Sequence, residues 1–329
     1  MMQVPMEQEL DVYKIKMMKF FWTILFLFVF EFAIGQVAGM PLIMNPIVRK
    51  LSLDVTTSSS TTANFVLKFA SSHNIIECGV IYSYNNNATI SNNQGKWVAA
   101  TNFNGGIDLS NNITHSFVYA PYYATPYFTV SNGTYYGSSI QFTPNWATVT
   151  INGKVWASAN LGATVIATTS GTNSNMYGFY YQWGRGSDGH QLSSSTTTST
   201  IATTSIPGNS NFITNTSGVY FYDWMTQQDV NLWQGLNGQN NPCPSGYRLP
   251  TIDECKSAVP TLQMPNNGYR RAQDGATVAT NWGYLWTSNI RTNSQGGVSY
   301  WRADALDRPS GTLGINNANA FPIRCIQNY

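Results

Sequence analysis

Residues 240–258 read NNPCPSGYRLPTIDECKSA, and this stretch contains the clearest helix signal in the second half of the chain. Thr251 and Glu254 stand three residues apart, which is the spacing of a helix capping box. In that motif the hydroxyl accepts from the third helical amide and the carboxylate reaches back to the cap amide. Asp253 and Glu254 also suit the positive end of a helix dipole. The stretch therefore predicts a helix over residues 251–259, entered through a turn-rich segment.

Strand patterns dominate the region upstream of this helix. Short runs rich in Val, Ile, Tyr and Phe alternate with Asn, Gly, Ser and Pro clusters, at residues 63–69, 79–84, 115–119, 127–130 and 138–142. Several short strands at this spacing predict an all-β sandwich over residues 51–143. Pro144 cannot continue a central strand, so a second domain is expected over residues 146–329, although 329 residues also allow a single domain. A Ser/Thr tract at residues 193–204 reads as a surface loop.

The N-terminus carries a targeting pattern. Three lysines precede the apolar run 20–30, and Ala33-Ile34-Gly35 follows it with small outer residues. This predicts an upstream segment and signal peptide over residues 1–35, cleaved before Gln36, and a linker over residues 36–50. A retained anchor is the alternative, but eleven residues fall short of the roughly 20 that cross a bilayer. We expect an exported chain, at the cell surface or extracellular with the periplasm as an alternative, and no membrane span after cleavage.

The composition narrows the class of partner. Charged residues make up 10 %, aromatic residues 14 %, and the formal net charge is +2. No cluster of Lys and Arg could release counterions from a phosphate backbone, so nucleic acid is not an expected partner. Four cysteines in an oxidising compartment would allow three disulfide connectivities, between which the spacing does not decide.

Two resemblances to known families follow from ordered motifs. Residues 122–143, with an aromatic strand that turns at Asn132-Gly133, together with residues 77–83, resemble the fibronectin type III-like (immunoglobulin-like) modules of bacterial surface proteins. An unrelated β-sandwich is the alternative. The second region resembles the Fibrobacter succinogenes major paralogous domain, through collinear motifs at residues 149–161, 180–185, 188–190, 223–224, 232–235, 240–251, 268–270, 285–288 and 323–326.

The second resemblance implies an α+β domain of the C-type lectin-like fold, with a helix against a twisted antiparallel sheet. It also implies a disulfide between Cys243 and Cys325, which stand at the family positions, and leaves Cys78 and Cys255 as buried thiols. A link between Cys78 and Cys255 is the alternative. Function does not transfer with a fold.

Catalytic and metal chemistry find little support. His190 is the only histidine of the second region, and the turn-forming Asp188-Gly189 before it favours a hydrogen-bonded turn over an active site. We therefore expect no catalytic residues and no enzyme. Zinc spacing is absent, and no resident cofactor is expected. Calcium is the one ion that the oxygen-rich loop could hold, through Asp223, Asp229, Asn231, Asn237, Asn240 and Asn241, although a solvated loop is the simpler reading.

The remaining functional signal is aromatic. Trp183, Trp286 and Trp301 lie on strand-like runs and are assigned to the core. Trp224 and Trp233 lie on the long loop, where an exposed indole could stack on a sugar. Together with the loop's carboxylates, Asp223 and Asp229, they are the predicted ligand-binding residues, against the alternative that both indoles determine the fold.

Three hypotheses for function follow. The leading one is a secreted or cell-surface binding or adhesion protein whose second region recognises a glycan or a surface protein. The second is a structural subunit of a surface appendage or matrix that self-associates. The third, an enzyme on surface polymers, depends on Asp188 or His190.

Overall fold

The structure is a computed structural model that describes residues 48–59, 61–144, 146–168, 173–216, 223–227, 229–258, 261–278, 282–292, 298–304 and 318–328. The predicted signal peptide and most of the predicted linker lie outside these ranges. Within them the fold is rich in β-strand, with one α-helix and one short 3-10 helix at Ser174–Met176. Across the same ranges no helix is both long and apolar enough to cross a bilayer.

The N-terminal region forms one six-stranded antiparallel sheet. Its strands are β1 (Val48–Ser59), β2 (Thr62–Ser83), β3 (Gly95–Thr114), β4 (Tyr122–Val130), β5 (Gly133–Tyr136) and β6 (Ile140–Phe142). The first half of β2 lies between β1 and β3, and its second half lies between β3 and β4. β4 also pairs with β5 and β6.

The sequence of β2 explains this arrangement. Along its first half, buried and partly exposed residues alternate, so Ala63, Phe65, Leu67 and Phe69 all point to the core. This is the period of two that a strand requires when one face is buried. The runs predicted as separate strands at residues 63–69 and 79–84 are two halves of this one strand.

The predicted strand at residues 115–119 is absent, and residues 115–120 are irregular. The apolar side chains Phe117, Val118 and Tyr119 are buried there, as a strand pattern would suggest. Their backbone amides, however, bond to scattered partners: Val118 N–H donates to the Tyr122 hydroxyl and Tyr119 N–H to the carbonyl of Ala163. These apolar residues are buried by packing and not by pairing with a neighbouring strand, which is why their sequence pattern wrongly predicted a strand.

The C-terminal region is built from short strands. They are β7 (Thr148–Ile151), β8 (Lys154–Ala157), β9 (Tyr181–Gln182), β10 (Thr197–Thr198), β11 (Phe212–Ile213), β12 (Tyr247–Arg248), β13 (Tyr269–Arg270), β14 (Thr277–Val278), β15 (Tyr284–Thr292), β16 (Val298–Asp304), β17 (Ala320–Phe321) and β18 (Ile326–Gln327). They form two four-stranded sheets, in the orders β12-β18-β8-β7 and β14-β13-β17-β9, and two pairs, β10-β11 and β15-β16. β10 lies inside the tract predicted to be only a loop.

The one helix of the described ranges, α1 (Ile252–Ala258), has the predicted capping box. Glu254 N–H donates to the Thr251 hydroxyl at 3.2 Å, and Thr251 N–H donates to Glu254 Oε2 at 2.8 Å. Arg248 binds both oxygens of the same carboxylate at 2.8 Å, and Lys154 lies 3.0 Å from it. These contacts hold the pKa of Glu254 at about 2, against the opposing effect of burial. The box thus joins the helix start to β12 and β8.

The predicted disulfide between Cys243 and Cys325 is present. Cys78 and Cys255 are buried free thiols, and burial raises the pKa of Cys78 to about 11. Both therefore stay as inert core residues at neutral pH.

One buried hydrophobic cluster includes side chains from before and after Pro144. The rings of Tyr84 and Phe179 pack with centroids 4.9 Å apart. Gly162 lies under this contact with φ +83°, and a Cβ there would sit 2.2 Å from the Phe179 ring, so only glycine fits. Within the described ranges, strands before Pro144 pair only with each other. The two regions nevertheless share a hydrophobic core, so their division into two separately folding domains stays a prediction.

Candidate functional site

A polar cleft opens where the end of β2 meets the loops of the C-terminal region. It has two lobes, of about 380 and 220 Å³. Both lobes are lined by Tyr84, Asn85, Asn92, Asp188 and Ser210, so they adjoin each other. The remaining lining residues are mostly Asn, Ser and Gln. Of the described residues that line the cleft, Asp188 alone carries a charge.

The β-sheet side of the cleft is a turn that follows β2. Asn85 N–H donates to the Ser83 hydroxyl at 3.2 Å, and Asn87 N–H donates to Asn85 Oδ1 at 2.9 Å. The backbones of Thr89 and Asn92 exchange two hydrogen bonds. Asn and Ser favour such turns because their side chains bond to nearby backbone amides. The Asn-rich run after β2 is therefore an ordered wall.

Arg185 holds the opposite wall of the cleft, which is formed by the loops around Asp188 and Asn209, from the protein interior. It is 0 % exposed, and its guanidinium donates to the carbonyls of Asn209 and Asn211, to Gln182 Oε1 and to Asp188 Oδ2, at 2.7–3.0 Å. The rigid fork of a guanidinium holds several acceptors in one geometry. Arg185 thereby positions both the loop around Asn209 and the Asp188 carboxylate.

Arg270 fixes the loop that forms the smaller lobe. Its guanidinium donates to the carbonyls of His190, Leu192 and Ser195 and to the Ser195 hydroxyl, and it lies over the Phe212 ring with 4.2 Å to the centroid. Burial lowers its pKa to about 10, so the group stays charged at neutral pH. Carbonyl dipoles and a ring face replace the water that this cation loses.

Asn240 holds the third wall. Its side-chain amide donates to the carbonyls of Gly184 and Ser205, at 2.8 and 2.9 Å. Beside these bonds lies Ile206, which is 59 % exposed, the most exposed large apolar side chain of the described residues. The cleft thus combines fixed hydroxyl and amide groups with one apolar patch on its rim.

Asp188 and His190 form a defined hydrogen-bonded pair. Asp188 Oδ1 accepts from the backbone N–H of His190 at 3.0 Å and lies 2.6 Å from His190 Nδ1. Gln182 N–H donates to His190 Nε2 at 3.1 Å, so Nε2 carries no proton and Nδ1 does. Burial, with the nearby Arg185 charge, lowers the pKa of His190 to about 4. Contacts with His190 and Arg185 lower the pKa of Asp188 despite burial.

This geometry matches the turn that the sequence predicts. His190 is 0 % exposed, and both of its ring nitrogens are engaged inside the protein. A general base needs a free nitrogen within reach of a substrate proton. The imidazole therefore orients the Asp188 loop and has no nitrogen free for proton transfer.

The structure buries Trp224 and Trp233, in line with the alternative that both indoles determine the fold. Trp224 is 1 % exposed and Trp233 is 0 % exposed. Their indole N–H groups donate to the carbonyls of Trp183 at 2.7 Å and Asn240 at 3.0 Å. Both rings therefore determine the fold, as does Trp183 at 1 % and Trp286 at 0 % exposure. The side chain of Trp301 lies outside the described residues.

The two predicted carboxylates also serve the backbone. Asp223 is buried and its Oδ1 accepts from Trp224 N–H at 2.7 Å, while Asp229 Oδ1 accepts from Asn231 N–H at 2.9 Å. The amide of Asn241 donates to the Tyr247 carbonyl at 2.9 Å. Over the described part of the chain, no group of three His, Cys, Asp or Glu side chains is arranged to hold a metal.

Sequence reasoning named three residues that line the cleft, Asp188, Asn240 and Asn241, but it missed most of the lining. Tyr84, Gln191 and Ser210 come from distant segments and none belongs to a motif. The density of Asn and Ser directly after a buried strand, at residues 85–93, could have indicated the side of the cleft that follows β2.

Comparison with known proteins adds no identification. No protein-family model matches the chain, and no curated protein is significantly similar to it.

Proposed function

We propose that this chain is an exported binding protein whose polar cleft recognises a glycan. The observation that carries the proposal is the cleft lining. Neutral hydroxyl and amide groups on three fixed walls surround a space of several hundred Å³, with exposed Ile206 on the rim. Sugars present hydroxyl groups beside apolar C–H faces, and sites for small ligands combine a few placed polar groups with apolar surface.

The fixed positions of the loops that form the cleft walls support the same proposal. Arg185, Arg270 and Asn240 hold the loops by bonds to backbone carbonyls. Binding to walls already held in place loses less conformational freedom than binding to loose loops. The disulfide is compatible with export, and the predicted signal peptide gives the route.

We also propose the two families that the sequence motifs indicate. The second region would be a Fibrobacter succinogenes major paralogous domain with a C-type lectin-like fold, and the N-terminal region a fibronectin type III-like module. The β-rich architecture with a single helix is consistent with them. The cleft lies between the two proposed modules, and Asn240 and Asn241 from the end of the tryptophan loop line it, whereas the two indoles do not.

A structural subunit is the second candidate, and strand β3 favours it. In the described residues β3 pairs only with β2, so its other edge is left open over 20 residues. Unpaired backbone groups along such an edge can template another strand.

A glycan-array screen of the purified, exported full chain tests the first candidate. We expect binding to neutral glycans that falls about tenfold in Asn86→Ala and Ile206→Ala, since each removes one contact of moderate strength. Val149→Ala is the matched control, because Val149 is an exposed apolar residue on β7 outside the cleft. Equal binding by all variants would overturn the cleft as the site. A blank array with sedimentation showing self-association would favour the structural subunit.

A further inference from the structure

Gln191 carries an amide group that the protein itself does not satisfy. The side chain is 0 % exposed and lines the smaller lobe. Its Oε1 accepts from Gly189 N–H at 2.8 Å, which fixes the orientation of the amide because a backbone N–H can only donate. Its Nε2 has no hydrogen-bond partner among the described residues. A buried donor without a partner costs free energy, so such a group calls for an explanation.

Asp188 offers the complementary feature in the same lobe. A carboxylate has about four acceptor sites. Three are used in the protein, by Arg185 Nε on Oδ2 and by the His190 backbone and ring on Oδ1. The side chain is 21 % exposed and lines the lobe, and Oδ2 retains one acceptor site. Arg185 is 0 % exposed beneath it, which leaves the carboxylate as the charge that a ligand meets.

A donor and an acceptor in the lining of one lobe favour groups that can both accept and donate. A hydroxyl group or an acetamido group does this, whereas a carboxylate only accepts. A ligand carboxylate would also meet the Asp188 charge in a site of reduced dielectric. The lobe therefore disfavours an anionic ligand.

Resting on the proposed function, we propose that the smaller lobe is a subsite for a neutral sugar unit. An oxygen of that unit accepts from Gln191 Nε2, and one of its hydroxyl groups donates to Asp188 Oδ2. The subsite discriminates neutral sugars from uronic acids.

Gln191→Glu provides the direct test. Glutamate keeps the oxygen that accepts from Gly189 N–H but replaces the donor by an acceptor. We expect the affinity for neutral oligosaccharides to fall at least about tenfold, the effect of one lost hydrogen bond in a buried site. Gln273→Glu is the control, because it adds the same charge at an exposed position that does not line the cleft.

A second measurement keeps the test decisive if Gln191→Glu folds poorly. In the unmodified full chain, the side-chain amide resonances of Gln191 should shift when a panel of neutral hexoses and N-acetylhexosamines is added up to their solubility. The matching uronic acids should shift them at concentrations at least about tenfold higher.

The outcomes separate this inference from the proposed function. Glycans bound on the array, with the Gln191 resonances unmoved and Gln191→Glu binding normally, would overturn the subsite while leaving the cleft in place. Uronic acids that bind as well as neutral sugars would also overturn it. A blank array together with unmoved resonances would overturn the proposed function itself.

Discussion

His190 shows how burial of one side chain makes stability depend on pH. Its pKa is about 4 in the folded protein, lowered chiefly by burial and by Arg185, with Arg270 acting in the same direction and Asp188 opposing. An unfolded histidine titrates near 6.5. Between these values the unfolded chain binds a proton that the folded chain does not, so stability falls as pH falls. We expect a loss of about 2 kcal/mol between pH 7 and pH 5 from this residue.

The difference between the wild-type protein and His190→Asn isolates that contribution. Asparagine can still donate an amide hydrogen to Asp188 but does not titrate. Urea unfolding at several pH values should show the acid-induced loss reduced by about 2 kcal/mol in the variant. Burial also lowers the pKa of His115, but that residue is present in both proteins. Parallel pH profiles for the two proteins would contradict the assigned protonation state.

Individual residues also show where sequence reasoning stops. The Asp188-Gly189-His190 turn is predictable because its bonds are local. Trp224 is not, because its indole N–H donates to the carbonyl of Trp183, 41 residues earlier in the chain. A loop rich in Asn and Gly has no period that reports burial, so a tryptophan within it looks exposed.

At the scale of elements, α1 depends on its capping box. Thr251→Ala removes the acceptor for Glu254 N–H and should lower the free energy of unfolding by about 1 kcal/mol. Thr251→Ser retains the hydroxyl and should leave stability near that of the wild type. Urea unfolding followed by fluorescence of the buried tryptophans measures both variants. Equal losses in the two would mean that the threonine methyl group, and not the hydroxyl, stabilises the helix start.

The helix and the first half of β2 could be predicted because each has a local signature, a capping box in one and a period of two in the other. The extent of β2 could not. Its second half changes partner from β1 to β4, and register shifts occur near Ile75 and Gly79. Pairing of this kind depends on segments far apart in the chain. For the same reason the walls of the cleft were not foreseen, since Arg270 holds carbonyls 75–80 residues away.

At the scale of the whole molecule, the disulfide joins the cleft to the C-terminal end of the fold. Cys243 follows Pro242 in the cleft lining, and Cys325 precedes β18, whose neighbour β8 comes from the start of the C-terminal region. The bond closes a loop of 82 residues. By the chain-entropy relation, such a loop stabilises the folded state by about 4 kcal/mol, because the unfolded chain loses that freedom.

Replacing both partners, Cys243→Ala with Cys325→Ala, should therefore lower the free energy of unfolding by about 4 kcal/mol. Reductant should shift the wild-type protein toward the same urea midpoint and leave the double variant unchanged. Cys78→Ala retains the bond and should still respond to reductant. Residues 239–242 of the cleft lining directly precede Cys243, so the proposed glycan binding should weaken in the double variant before global unfolding begins. A wild-type protein whose unfolding ignores reductant would show that the bond does not form, and the cleft would then have to be held by Asn240 and the buried arginines alone.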